Sequence, residues 1–138
     1  MRALLLHASE FKVNIIDKSN KPYGIKPETK KSSTENMTEC LVVFFCVEKN
    51  DNSQQIQALF KEIVKITKEL STTSIMVAPF VHLSSNIAEP EKAKKLYFSL
   101  LKKLKNTYFK VSSSHFGYHK SLLLDIKGHP GSFRYREF

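Results

Sequence analysis

The sequence predicts an α/β domain built on a mixed β-sheet with two main helices. Three observations predict it. Residues 40–47 and 75–78 are continuous apolar runs of the length and composition of buried strands. Two longer segments, around residues 53–70 and 89–105, carry apolar residues at helical spacing. Near the N-terminus, Phe11, Val13 and Ile15 alternate with Lys12 and Asn14, the period of a half-buried strand. A β-α-β-α-β order with a hairpin ahead of it gives a mixed sheet covered by helices.

Taken in order, residues 1–7 and 10–17 read as a strand pair. Residues 18–36 are rich in Lys, Ser, Pro, Gly, Asn and Thr and read as a long polar excursion. Residues 40–47 read as a central strand, broken by Glu48-Lys49-Asn50-Asp51-Asn52. Ser53 is a fair N-cap for a helix. Ile56, Leu59, Phe60, Ile63, Val64 and Ile66 supply its apolar face, and it ends near Leu70. A strand over 74–80 follows. Glu89-Pro90-Glu91 opens the second helix, because Pro suits the first turn and acids suit the N-terminal dipole. Ala93, Leu96, Tyr97, Leu100, Leu101 and Leu104 form its buried stripe. Lys94, Lys95, Lys102, Lys103 and Lys105 make its other side basic. Strands over 107–112 and 119–127 complete the order, and residues 132–138 form a tail.

The length of 138 residues fits one domain, 1–138, and 41% apolar residues suffice for a packed core. No apolar stretch approaches the roughly 20 residues that span a bilayer. The segment Met1-Arg2-Ala3-Leu4-Leu5-Leu6-His7 is too short for a signal peptide, so a cytoplasmic chain without membrane contact is expected. On a strand, Cys40 and Cys46 lie on one face about 20 Å apart, too far for a disulfide. The balance of 22 basic against 13 acidic residues leaves a charge of +9. A small basic domain commonly meets a nucleic acid, although excess Lys also serves solubility.

The candidate chemistry sits where apolar runs meet loops. Pro79-Phe80-Val81-His82-Leu83-Ser84-Ser85 follows one run, and Phe116-Gly117-Tyr118-His119-Lys120 precedes another. Rigid strands aim such loop residues. His82 could hydrogen-bond a substrate amine or hydroxyl, or it could cap the serine turn. Lys120 could stabilise an oxyanion or hold a water, or it could be one solvated Lys among many. His129 reads as a turn residue. His7, at the end of the first strand, and His115 remain ambiguous. Ser84 and Ser85 lack the Gly-x-Ser-x-Gly context of an activated nucleophile. No phosphate loop, dinucleotide fingerprint or spaced metal-ligand set is present, so neither cofactor nor metal is expected.

Those two segments belong to an ordered set of motifs. With Met1-Arg2-Ala3-Leu4-Leu5-Leu6-His7, Val47-Glu48-Lys49 and Lys127-Gly128-His129-Pro130, the chain resembles the N-terminal editing domain of archaeal-type threonyl-tRNA synthetases. The resemblance implies a D-aminoacyl-tRNA deacylase-like fold and a homodimer. It implies hydrolysis of L-serine from threonine tRNA, with the acceptor end of tRNA(Thr) and possibly the rest of a synthetase as partners. Serine is threonine minus one methyl, and one methyl discriminates by only ~1–3 kcal/mol. A second sieve restores accuracy.

By the same resemblance, Lys120 and His82 would be the catalytic pair. Lys120 would position water or stabilise the oxyanion, and His82 would sit beside the seryl group. Tyr118 and His119 would line the pocket. Backbone groups around Val47, Glu48, Phe80 and Val81 would hold the terminal adenosine. The tRNA 2′-hydroxyl would help organise the water. Two readings stand beside this one: a D-aminoacyl-tRNA deacylase, and a non-catalytic tRNA-binding module. One departure separates the chain from the familiar pattern. Gly131-Ser132-Phe133 follows Pro130 where Leu-Ala-Glu is expected.

Overall fold

The computed structural model describes residues 1–29 and 32–138. Among the described residues, six strands and two helices run in the order β1 (Arg2–Lys18), β2 (Thr34–Cys46), α1 (Ser53–Glu69), β3 (Ser74–Pro79), α2 (Pro90–Lys105), β4 (Lys110–Ser113), β5 (Tyr118–Ile126) and β6 (Phe133–Glu137). The sheet order is β4-β3-β2-β1-β5, and β6 also pairs with β1.

The expected hairpin of residues 1–7 and 10–17 is instead one strand. β1 pairs with β2 along its length, and on its other side with β6 and then β5. His7 therefore lies inside a strand and not at its end. Three partner strands, spread over both flanks, make a continuous strand possible where local pattern suggested a turn.

β1 and β2 keep one register from Arg2↔Cys46 to Asn14↔Thr34, yet Ser9 and Glu39 are missing from the ladder. Glu39 has φ of 48°. The β1–β5 register also slips between Ala8 and Glu10. Across this irregularity the inward residues change parity together. Leu6, Ala8, Cys40, Val42 and Phe44 lie on one side of it, and Phe11, Val13 and Met37 on the other, all in one buried cluster with Met76 and Ala78. A bulge bends the strands that carry it. Here it curls the sheet around that cluster.

The opposite sheet face is covered by helices. β2, β3 and β4 run parallel, so α1 and α2 are crossovers that pack on one face. Ile56, Leu59, Ile63 and Ile66 of α1 meet Leu96, Tyr97, Leu100 and Leu104 of α2 over Leu5, Leu41, Val43 and Ile75. Each fully buried aliphatic side chain contributes about 1.5–3 kcal/mol. α1 is capped by Asn52 and not by Ser53: the Asn52 side chain accepts from Gln54, and Gln55 reaches back to the Asn52 amide.

Two further expectations need correction. The tail is β6, whose alternation of Phe133 and Tyr135 with Arg134 and Arg136 is a strand period. The polar excursion is shorter than 18–36, because Lys18 ends β1 and Thr34 starts β2. Lys30 and Lys31, also within it, lie outside the described residues.

His7 Nδ1 lies 2.7 Å from His129 Nε2, which ties the Gly128-His129-Pro130 turn to β1. Burial, then the charges of Lys127 and His129, push the His7 pKa below its ordinary value. The unfolded chain therefore binds this proton more readily. Stability should fall as pH drops below about 6.5 and level off beneath the folded value. Urea midpoints between pH 8 and pH 5 should fall more for the wild type than for His7→Gln. Parallel profiles would contradict the assignment.

Candidate active site

The parallel strands β2 and β3 end side by side, with Phe44 opposite Ala78 and Phe45 opposite Pro79. A crevice beyond the carboxyl ends of parallel strands is a common ligand site. Here it is a cavity of about 540 Å³. The strand ends supply Phe44, Phe45, Cys46 and Val47 on one side and Pro79, Phe80, Val81 and His82 on another. Ala93 and Tyr97 of α2, and Tyr118, Lys120 and Leu122 of β5, close it. Ile25 and Pro22 of the β1–β2 connection complete the wall. The two motif segments are thus brought together.

Lys120 pairs with Ile15 of β1 and lines this cavity. Its Nζ donates to the His115 carbonyl at 2.5 Å and lies 3.4 Å from Ser114 Oγ. Burial pushes its pKa down to about 8, while the Glu28 carboxylate pushes it back up. At neutral pH most of the population keeps the ammonium. An ammonium has three donors, so one remains for a ligand.

His82 is exposed on the 3₁₀ turn Val81–Leu83, with its ring edge-on to Phe80 at 5.2 Å. It does not cap the serine turn. Ser84 Oγ donates to Glu48 at 2.5 Å and accepts from the Asn86 amide. Tyr118 lines the cavity and donates from its hydroxyl to the Glu28 carbonyl at 2.7 Å. His119 is exposed and borders the cavity.

Glu48 alone among the sequence-selected residues is absent from the lining. Its carboxylate accepts from Ser84 and from the Met1 ammonium, which hold its pKa below the usual carboxylate range. Its amide donates to Asp51 at 2.6 Å. The Val47 carbonyl accepts from the Ala88 amide. The Cys46 thiol borders the cavity, but burial pushes its pKa up to about 11, so it is not a thiolate at neutral pH.

Glu28 and His115 were not selected from the sequence. Glu28 Oε1 accepts from the Phe116 amide at 2.8 Å, His115 Nδ1 at 3.1 Å and the Tyr97 hydroxyl at 3.3 Å. His115 is buried with φ of 60°, its Nε2 3.4 Å from Glu35. No local pattern signals this contact, because it joins residues 87 or more positions apart. The position of the expected glutamate, Phe133, is exposed on β6 opposite Leu6, while Lys120 sits opposite Ile15. Phe133 does not line the cavity.

Fold and cavity together define a small mixed α/β domain with a cavity at its strand ends. Comparisons with known proteins narrow this class. The description "Archaea-specific editing domain of threonyl-tRNA synthetase" matches residues 1–138. Threonine–tRNA ligase of Pyrococcus furiosus is 34% identical over 134 residues, covering 94% of this chain and 21% of the ligase. The Thermococcus sibiricus ligase is 37% identical over the same length and shares. The threonine–tRNA ligase editing subunit of Saccharolobus solfataricus is 32% identical over 130 residues, covering 94% of this chain and 32% of the subunit. The chain thus spans about a fifth of the length of the ligases. In structure, a c-Myc DNA unwinding element binding protein superposes with a TM-score of 0.73 at 14% identity, covering 100% of this chain and 99% of that one. That likeness concerns the fold alone. The chain belongs to the archaeal editing-domain family of threonyl-tRNA synthetase.

Gly117 has φ of +84°, and a Cβ there would lie 2.7 Å from Pro27 Cα. Gly24 has φ of +83° with open space around it. Gly24→Ala should therefore cost about 1 kcal/mol of backbone strain, and Gly117→Ala clearly more, read from urea unfolding. Equal losses would mean that the Pro27 contact yields freely.

Proposed function

We propose that residues 1–138 form a single editing domain that hydrolyses L-seryl-tRNA(Thr). The observation that carries this reading is the editing-family match over the whole chain, joined to a cavity that contains a half-buried lysine. Water attacks the seryl carbonyl carbon and forms a tetrahedral oxyanion. Collapse breaks the bond to the 3′-oxygen of the terminal adenosine, which takes up a proton, and serine leaves as the free acid. The free N–H of Lys120 stabilises the oxyanion or holds the water. The tRNA 2′-hydroxyl helps to organise that water, so no side-chain nucleophile is required.

His82 contacts the seryl group and favours it over threonyl. Tyr118 and His119 wall the pocket. Backbone groups around Val47, Glu48, Phe80 and Val81 hold the adenosine, by those atoms not already engaged in the protein. The exposed Lys95, Lys102 and Lys105 of α2 support contact with tRNA phosphates. The domain works in the cytoplasm, within or beside the rest of a synthetase. It forms a homodimer through β5, a sheet edge that exposes Leu122, Leu123 and Leu124.

The test is hydrolysis of L-seryl-tRNA(Thr) by the purified domain, with L-threonyl-tRNA(Thr) as control. Fast loss of serine with threonine spared is expected. Intact seryl-tRNA, or hydrolysis of only the D-seryl ester, would overturn the reading. Lys120→Met should lower kcat by about 10²–10³-fold, the scale of losing one oxyanion donor. An unchanged rate removes Lys120 from the chemistry. His82→Ala should cut the serine-over-threonine preference by roughly tenfold, within what one methyl contact can supply. Wild-type selectivity in that variant would contradict the role.

A further inference from the structure

We propose that Glu28 is a positioning residue for Lys120, acting through the turn formed by residues 114–118. The inference deepens the reading above and rests on Lys120 being part of its chemistry.

The turn carries two left-handed residues, His115 at φ 60° and Gly117 at φ +84°. A non-glycine residue in that region costs of order 1 kcal/mol or more and persists only where surroundings impose it. Glu28 imposes it from outside. Its Oε1 accepts from His115 Nδ1 and from the Phe116 amide. Its own amide donates to the Phe116 carbonyl at 3.1 Å, and its carbonyl accepts from Tyr118. Pro27 packs against Gly117, so the two segments are in full contact. On the far side, Glu35 faces His115 Nε2 and accepts from Ser112. Ser114 is anchored to β3 through the Val77 carbonyl.

The product of this bracing is the orientation of one carbonyl. His115 O receives the Lys120 ammonium, and Ser114 Oγ lies beside it. The direction left for the remaining N–H is therefore set by the turn, and the turn by Glu28. A glutamate is required for two reasons. One carboxylate oxygen gathers three donors, which an amide oxygen does less strongly. Its charge also offsets the desolvation of Lys120. The titratable groups at this junction are Glu28 of the connection, His115 of the turn, Glu35 of β2, Tyr97 of α2, Tyr118 of β5 and Lys94 of α2, which donates to the Lys26 and Pro27 carbonyls.

The test compares the wild type with Glu28→Gln, Glu28→Asp and Pro27→Ala. The Lys120 side chain is titrated by NMR in ¹³C-lysine-labelled protein, its signal assigned by its loss in Lys120→Met. In the wild type it should titrate near pH 8. Glu28→Gln should lower that midpoint by roughly half a pH unit or more, since it removes the carboxylate that favours the ammonium. Steady-state deacylation of seryl-tRNA should lose about tenfold in kcat with KM little changed. Any pH limb assigned to Lys120 should move to lower pH. Glu28→Asp keeps the charge but withdraws the oxygen, so it should lose kcat also. Pro27→Ala frees the backbone of the same segment without touching the charge, and should lower Tm while leaving the Lys120 midpoint in place.

A Glu28→Gln protein with wild-type kcat and an unmoved Lys120 midpoint overturns the inference and leaves the hydrolytic reading intact. A Pro27→Ala protein that moves the midpoint as far as Glu28→Gln also overturns it, since any loosening would then suffice. A wild type that does not hydrolyse seryl-tRNA fails the hydrolytic reading itself, and the positioning role of Glu28 in that reaction falls with it.

Discussion

Everything in this fold depends on β1 being paired on both flanks. The strand holds β2 on one side and β5 and β6 on the other. One unpaired position on each of β1 and β2, at Ser9 and Glu39, exchanges the inward and outward faces of both strands at once. Without that exchange Phe11 and Val13 would turn away from the interior that Leu6 and Ala8 occupy. With it, the sheet closes round an apolar cluster, and β5 comes to stand across from the ends of β2 and β3. A pocket between those parts is then a consequence of the curl.

The chemistry of the pocket follows from its burial. Removing Lys120 from water weakens its hold on the proton, while the backbone carbonyl of His115 and the charge of Glu28 restore part of that hold. Removing Cys46 from water has the opposite sense, because its charged form is the anion, and leaves an unreactive thiol. One environment thus keeps a cation near its titration point and silences a competing nucleophile. That balance suits stabilisation of a transient oxyanion better than covalent catalysis.

Much of this was legible along the chain. The apolar runs of β2 and β3 and the stripes of α1 and α2 are local patterns, and they appear where the periodicity places them. The carboxyl end of β3 marks the pocket, so His82 could be found as a strand-to-loop residue, whereas Lys120 lies inside the start of β5. What was not legible depends on distant pairing. Residues 1–17 look like two strands until β5 and β6 are seen to share one flank. Phe133 to Glu137 looks like a tail until β1 offers it an edge. Glu28 stands among lysines in a Pro-bounded segment, and nothing nearby announces that it meets His115 and Phe116. Phe133, where a glutamate was expected, lies outside the cavity, while the carboxylate that acts on Lys120 comes from the connection after β1.

The central claim is that this curled-sheet cavity receives the aminoacyl end of tRNA. The most direct measurement is a crystal structure with a 3′-seryl-amino-adenosine, in which an amide replaces the ester and hydrolysis is blocked. The account predicts the seryl group in the cavity between His82 and Lys120, with its carbonyl oxygen within hydrogen-bond reach of Lys120 Nζ. An analogue bound elsewhere, or a cavity left empty at saturating concentration, would contradict it.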